Sequence, residues 1–159
     1  MIPTLIISKI SGSGGKISRR ASGGRLDIHR NAAFWMLEDS EVFGTVHPRD
    51  AMLPEAVLLV CARLQDMVQN GELEQREDGC LEMRKEEFFQ LIRNLRDRWN
   101  SAWSKEYREM DEEKLLERIL QYMKDWMLLR LEDEHAILLP AVGKLKGYYP
   151  KDYTGGESK

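Results

Sequence analysis

The sequence predicts a mostly helical α+β fold, with a winged-helix domain preceded by an orphan β-hairpin. Three observations carry this. Long stretches space their apolar residues three and four apart, as a helix face requires. Short alternating stretches lie between and after them, at the period of a pleated strand. Turn-forming residues separate the two kinds in the order helix, hairpin, helix, helix, hairpin, which matches a winged helix with an enlarged first strand and leaves no place for a parallel sheet.

Residues 1–24 read as a flexible tail, because residues 11–25 are mostly Gly, Ser and basic side chains with little to bury. Order is expected to begin near Arg25. Leu26 and Ile28 alternate with polar residues, Asn31 offers a turn, and Ala33, Trp35 and Leu37 alternate again, so residues 25–52 predict a β-hairpin and linker. The rival reading is a short helix from Ala32 to Leu37. A lone hairpin resembles the wing of a domain whose helices precede it, which predicts that the chain is the C-terminal part of a longer protein. An apolar face around Trp35 would then favour self-association.

Residues 53–153 predict the winged-helix domain, and residues 154–159 a second tail. Pro54 stands where a helix can begin, and Val57, Val60, Cys61, Leu64, Met67 and Val68 recur at helical spacing until Gly71. Leu73–Glu77 and Cys80–Arg84 flank Asp78-Gly79, a dipeptide suited to a tight hairpin turn. Glu86–Trp99 carries Phe88, Leu91, Ile92, Leu95 and Trp99 on one stripe, a second helix. Asp111 can cap a third, with Leu115, Leu116, Ile119, Met123 and Trp126 inward and Glu112 and Glu113 at its positive end. Met127–Leu131 and His135–Leu139 form the last hairpin, the wing, which Pro140 ends.

Composition narrows the function classes. The chain is 42% hydrophobic and 32% charged, as a folded protein with a charged surface is, and its net charge of -3 argues against attraction of nucleic acid by the molecule as a whole. Cys61 and Cys80 are the only cysteines, so no disulfide framework of the secreted kind is expected. Residues 2–7 lack the basic flank of a signal peptide, and the expected location is the cytoplasm.

No cofactor, metal or catalytic residue is expected. Ser11-Gly12-Ser13-Gly14-Gly15-Lys16 suggests a phosphate loop, but Ile10 stands where its first glycine belongs and Ile17 where its hydroxyl belongs. His29, His47, His135 and the two cysteines show no zinc-ligand spacing. The acidic run at Glu132, Asp133 and Glu134 reads as a solvated hairpin tip.

Two stretches have the composition of a contact surface. Residues 93–108 set Arg93, Arg96, Arg98, Lys105 and Arg108 against Asp97 and Glu106, interleaved with Trp99, Trp103 and Tyr107. From these, Arg93, Arg96, Trp103, Lys105, Tyr107 and Arg108 are the expected DNA or partner contacts. The plainer reading places Trp99 and Trp103 in the core and the arginines in salt bridges with the acidic third helix. Beyond the wing, Lys144, Lys146 and Tyr148 are the expected partner-docking residues. The third helix suits base reading poorly, because Glu112, Glu113, Glu117 and Asp125 outnumber Lys114, Arg118 and Lys124.

A resemblance joins these pieces. Leu26-Asp27-Ile28-His29-Arg30 leading to Leu37-Glu38-Asp39, then Val46-His47-Pro48, the helix from Leu53 to Leu64, Trp103-Ser104-Lys105-Glu106-Tyr107-Arg108 and Leu139-Pro140-Ala141-Val142-Gly143-Lys144 together resemble the MukE-like accessory subunit family of Wadjet-type plasmid-defence operons, over most of residues 25–153. The resemblance implies winged-helix architecture and a non-enzymatic subunit of a condensin-like, DNA-associated complex. Its partners would be kleisin-like and SMC-like subunits, with nonspecific DNA contact. Two departures stand: that family's larger N-terminal half is missing, and residues 1–24 match nothing in it. The alternative function is a free-standing winged-helix transcription regulator, which needs a basic recognition helix where this chain carries an acidic one.

Overall fold

The computed structural model describes residues 52–145 in full and, ahead of them, the backbone of four strands: β1 (Leu5–Ile7), β2 (Ser18–Ala21), β3 (Gly24–His29) and β4 (Ala32–Leu37). The chain divides into two compact units, Met1–Asp50 and Ala51–Lys159.

In the first unit the four strands form one antiparallel sheet in the order β1-β4-β3-β2, with Ile28 opposite Ala33 and Leu26 opposite Trp35. Ala32–Leu37 is therefore strand and not helix. The hairpin is also not alone, because β1 and β2 fall inside residues 1–24, where the sequence suggested a free tail. A hairpin leaves two edges of unpaired N–H and C=O groups, and those flanking segments supply partners for both. The face presented by Trp35, on which the self-association reading depends, lies outside the described side chains.

The second unit is mostly helical with a small three-stranded antiparallel sheet. Its elements run α1 (Met52–Gln69), β5 (Leu81–Arg84), α2 (Lys85–Trp99), a 3-10 turn (Asn100–Ala102), α3 (Lys105–Glu109), α4 (Glu112–Asp125), β6 (Leu129–Glu132), β7 (His135–Leu138) and a 3-10 turn (Pro140–Lys144). The strand order is β5-β7-β6, so the last strand returns between the other two. Leu81 and Leu129 both stand opposite Leu138, and Met83 and Leu131 opposite Ala136, which puts one apolar row on one face.

Helices α1, α2 and α4 pack together, with Phe88, Ile92, Leu64, Leu115, Ile119 and Met123 fully buried among them. Each such side chain contributes about 1.5–3 kcal/mol through removal from water. Every residue of α1 from Ala56 to Ala62 is buried, so this part of the helix is enclosed on all sides and lacks the polar face the spacing predicted. In α4 the expected inward residues are buried except Trp126, which is half-exposed at the end of the helix.

The expected second hairpin is the main correction. Its turn forms: Gly79 takes φ +82°, the Gly79 N–H donates to the Arg76 carbonyl, and the Cys80 N–H donates to the Asp78 carboxylate at 3.0 Å. The strand expected over Leu73–Glu77 is reduced to one bridge, between Gln75 and Leu81. Leu73 is the only apolar residue in that segment, so it has almost nothing to bury, and β5 pairs with the apolar β7 in its place.

Helices α1 and α4 end in the same way. At each end a residue in the left-handed region is followed by one whose N–H reaches back five residues: Glu72 to the Met67 carbonyl at 2.8 Å, and Leu128 to the Met123 carbonyl at 2.8 Å. The left-handed residue is Gly71 (φ +73°) in α1 but Met127 (φ +55°) in α4. A side chain in this region costs about 1–2 kcal/mol. A Cβ added at Gly71 meets nothing within 4 Å, so Gly71→Ala isolates that cost, and it is expected to lower stability by about 1 kcal/mol. Met127→Gly is expected to raise stability by a similar amount. Urea unfolding that gives the same sign for both would disprove the account.

Candidate contact surface

The stretch from Arg93 to Arg108 spans the second half of α2, the 3-10 turn and α3. Helix α3 was not expected from the sequence; five residues carry too little periodicity to reveal it, although Ser104 at its start is a residue type that favours helix beginnings.

The structure separates the expected contact residues into two groups. Arg93, Arg96, Trp103 and Tyr107 hold the fold together. The Arg93 guanidinium donates to Glu112 of α4 at 2.6 Å and to Glu86 at 3.0 Å, and these carboxylates raise its already high pKa. Arg96 donates to the backbone carbonyls of Arg108 and Met110, tying α2 to the segment that leads into α4. Trp103 is 3% exposed, and Tyr107 is buried with the Arg118 guanidinium over its ring at 5.8 Å. Arg118 donates to Glu106 at 2.9 Å, which joins α4 to α3 and raises its pKa. The plainer reading agrees with the structure for Trp103, which is in the core, and for Arg93, which pairs with the acidic helix. Trp99, however, is only half-buried, and Arg96 binds backbone carbonyls. Exposed ion pairs of this kind contribute only about 0–1 kcal/mol each, so they orient the helices more than they stabilise them.

Lys105 and Arg108 form the second group. Both are exposed, and both line a cleft of about 520 Å³ with Asp97, Arg98, Asn100, Ser101 and Glu109. Arg98 belongs to the same basic stretch but was not among the expected contacts; its guanidinium lies over the Trp99 ring at 5.2 Å. A second cleft of about 390 Å³ runs between α1 and α2, with Met67, Met83, Leu91 and Leu95 on its apolar side and Arg63, Glu87, Gln90, Asn94 and Arg98 as its polar lining. Of the expected docking residues, Lys144 is exposed at the end of the last 3-10 turn, whereas Lys146 and Tyr148 lie outside the described residues.

On α4 the Asp111 carboxylate accepts from the Glu113 N–H at 3.1 Å, the cap the sequence predicted. Glu112, Glu113, Glu117 and Asp125 are all exposed, as are Lys114 and Lys124; Glu112 is engaged by Arg93 and Arg118 by Glu106. Outside those two ion pairs the outward side keeps Glu113, Glu117 and Asp125 against Lys114 and Lys124, a small acidic excess. No group of metal-ligating side chains occurs among the described residues, and no described helix is long and apolar enough to cross a membrane.

A model of the family described as "Protein of unknown function (DUF2398)" matches residues 13–148, most of the chain. No curated protein and no solved structure matches it.

Proposed function

The chain belongs to the DUF2398 family, and we propose that it acts as a non-enzymatic winged-helix module, an accessory subunit that works through protein contact and touches DNA without reading its sequence. The observation that carries this reading is the small acidic excess on the outward side of α4. The order helix, strand, three helices, two strands, with the last strand returning beside the first, is consistent with a winged helix, and α4 then occupies the position that reads bases. Phosphates would repel Glu113 and Glu117 there, which disfavours a transcription regulator. The resemblance noted in the sequence gives the assembly: a condensin-like, DNA-associated defence complex with kleisin-like and SMC-like subunits.

Affinity purification of the full chain from its native host, followed by identification of co-purifying proteins, tests the assembly. Kleisin-like and SMC-like proteins are expected. Two duplexes of unrelated sequence should also bind with similar affinity. Purification without such partners, together with a preference for one duplex of about a thousandfold or more, would make the chain a regulator.

A further inference from the structure

The guanidinium groups of the second unit are nearly all committed. Arg63 faces Glu72, Arg76 faces Asp78 and Glu82, Arg84 faces Glu87, Arg93 faces Glu86 and Glu112, Arg118 faces Glu106, and Arg130 faces Glu132. Arg96 is held by backbone carbonyls. Among the described residues only Arg98 and Arg108 have no carboxylate or carbonyl partner for their guanidinium groups, and both line the same cleft.

We infer that this cleft, between the end of α2 and α3, binds the phosphodiester backbone of nucleic acid through Arg98 and Arg108, with Lys105 at its margin. In a surface this rich in Glu and Asp, two arginines left without carboxylates on one cleft are available to an external anion. A guanidinium presents paired donors that match the oxygens of a phosphate. Arg98 lies across the Trp99 ring, which restricts its side chain before any ligand arrives. Arg108 sits on α3, whose C-terminal end is fixed by the bond from Arg96 to the Arg108 carbonyl. Lys105 is 77% exposed and only 3.9 Å from Glu109, a loose pair that a phosphate can displace.

The lining also distinguishes between partners. Every residue around this cleft is polar or charged, with Arg98, Lys105 and Arg108 outnumbering Asp97 and Glu109. A protein partner is normally anchored by aromatic or aliphatic side chains in a desolvated pocket. Nucleic-acid backbone needs no such anchor, because its affinity comes from counterion release. Asn100 and Ser101 add neutral donors of the kind that also contact phosphate.

This inference rests on the reading of the chain as a module that touches DNA without base recognition, and the two fail differently. Binding of the full chain to a labelled duplex is followed by fluorescence anisotropy across a salt series for the wild type, for Arg98→Gln with Arg108→Gln, and for Lys114→Gln with Lys124→Gln. The last variant removes the same charge from α4. Affinity is expected to fall about tenfold or more in the arginine variant, and the slope of log affinity against log salt to drop by about 1.8, two phosphate contacts' worth. The lysine variant should stay near wild type. Both arginines are exposed, and circular dichroism confirms folding; Arg108→Gln alone gives a second reading with a slope change of about half that size.

The cleft assignment is overturned by equal losses in the two double variants, by wild type that binds no duplex at low salt, or by displacement of the duplex by polyglutamate at matched charge, which would make the ligand an acidic protein. A strong preference between unrelated duplexes, with the arginine effect intact, would refute the functional reading and leave the cleft standing.

Discussion

Trp103→Ala is expected to lower the stability of the chain by about 3–5 kcal/mol, while Trp103→Phe keeps most of it. The alanine variant empties a site where the indole is 3% exposed, and the cost combines lost transfer energy with the cavity left behind. Phenylalanine refills much of that space and removes a liability, because the Trp103 Nε1–H is buried with no hydrogen-bond acceptor among the described residues. An unsatisfied buried donor costs about 1–3 kcal/mol, which offsets part of the lost ring contact. The same pair of variants decides what the tryptophan is for. A contact residue would weaken duplex binding while leaving the unfolding midpoint unchanged; a core residue does the reverse. Urea unfolding and anisotropy on the same preparations give both numbers. A Trp103→Ala variant within about 1 kcal/mol of wild type would return Trp103 to the surface.

Tryptophan shows why the contact surface was only partly legible in the sequence. Interleaved arginines and aromatics have the same composition whether the rings face inward or outward. The period that would tell them apart is interrupted at Asn100–Ala102, where α2 gives way to a 3-10 turn. Long apolar periods were legible: α1, α2 and α4 lie where the spacing of Val57, Phe88 and Leu115 places them, and Asp111 caps α4 as its side chain allows. Strand pairing was less so. Asp78-Gly79 specifies a turn but not the strands beside it, and the partner that β5 takes lies about fifty residues later, in β7. β2 was missed for the same reason, since a polar strand such as Ser18–Ala21 is defined by the edge it completes more than by its own residues. β1, Leu5–Ile7, is apolar but only three residues long, too short to show a period. The isolation of Arg98 and Arg108 has no sequence signal either. It emerges only when every other arginine of the described unit has been matched with its carboxylate or, for Arg96, with its backbone carbonyls.

Cys61 carries the other large expectation, which concerns alkaline pH. It lies in the enclosed part of α1, fully buried, and burial pushes its thiol up to about 12 from an ordinary value of 9.0. The thiolate would have to form where neither water nor a cation stabilises it. Since the folded pKa is the higher one, the folded state holds its proton longer than the unfolded state. The resulting stability is fully present below pH 9 and is lost as pH rises toward 12. One pH unit corresponds to about 1.4 kcal/mol, so the loss from this group reaches about 3 kcal/mol by pH 11. Cys80, raised in the same direction mainly by burial and then by Asp78, adds to the trend. Other groups also titrate there, so the measurement is the difference between wild type and Cys61→Ala across pH 8 to 11. Removing the sulfur shifts the whole stability curve but should flatten its alkaline slope. Native-state alkylation gives an independent reading: Cys61 is expected to react only as fast as the domain opens, and denaturant should accelerate it. Wild type and Cys61→Ala with parallel pH profiles, or rapid labelling of Cys61 in the native protein, would mean that α1 is not enclosed as described.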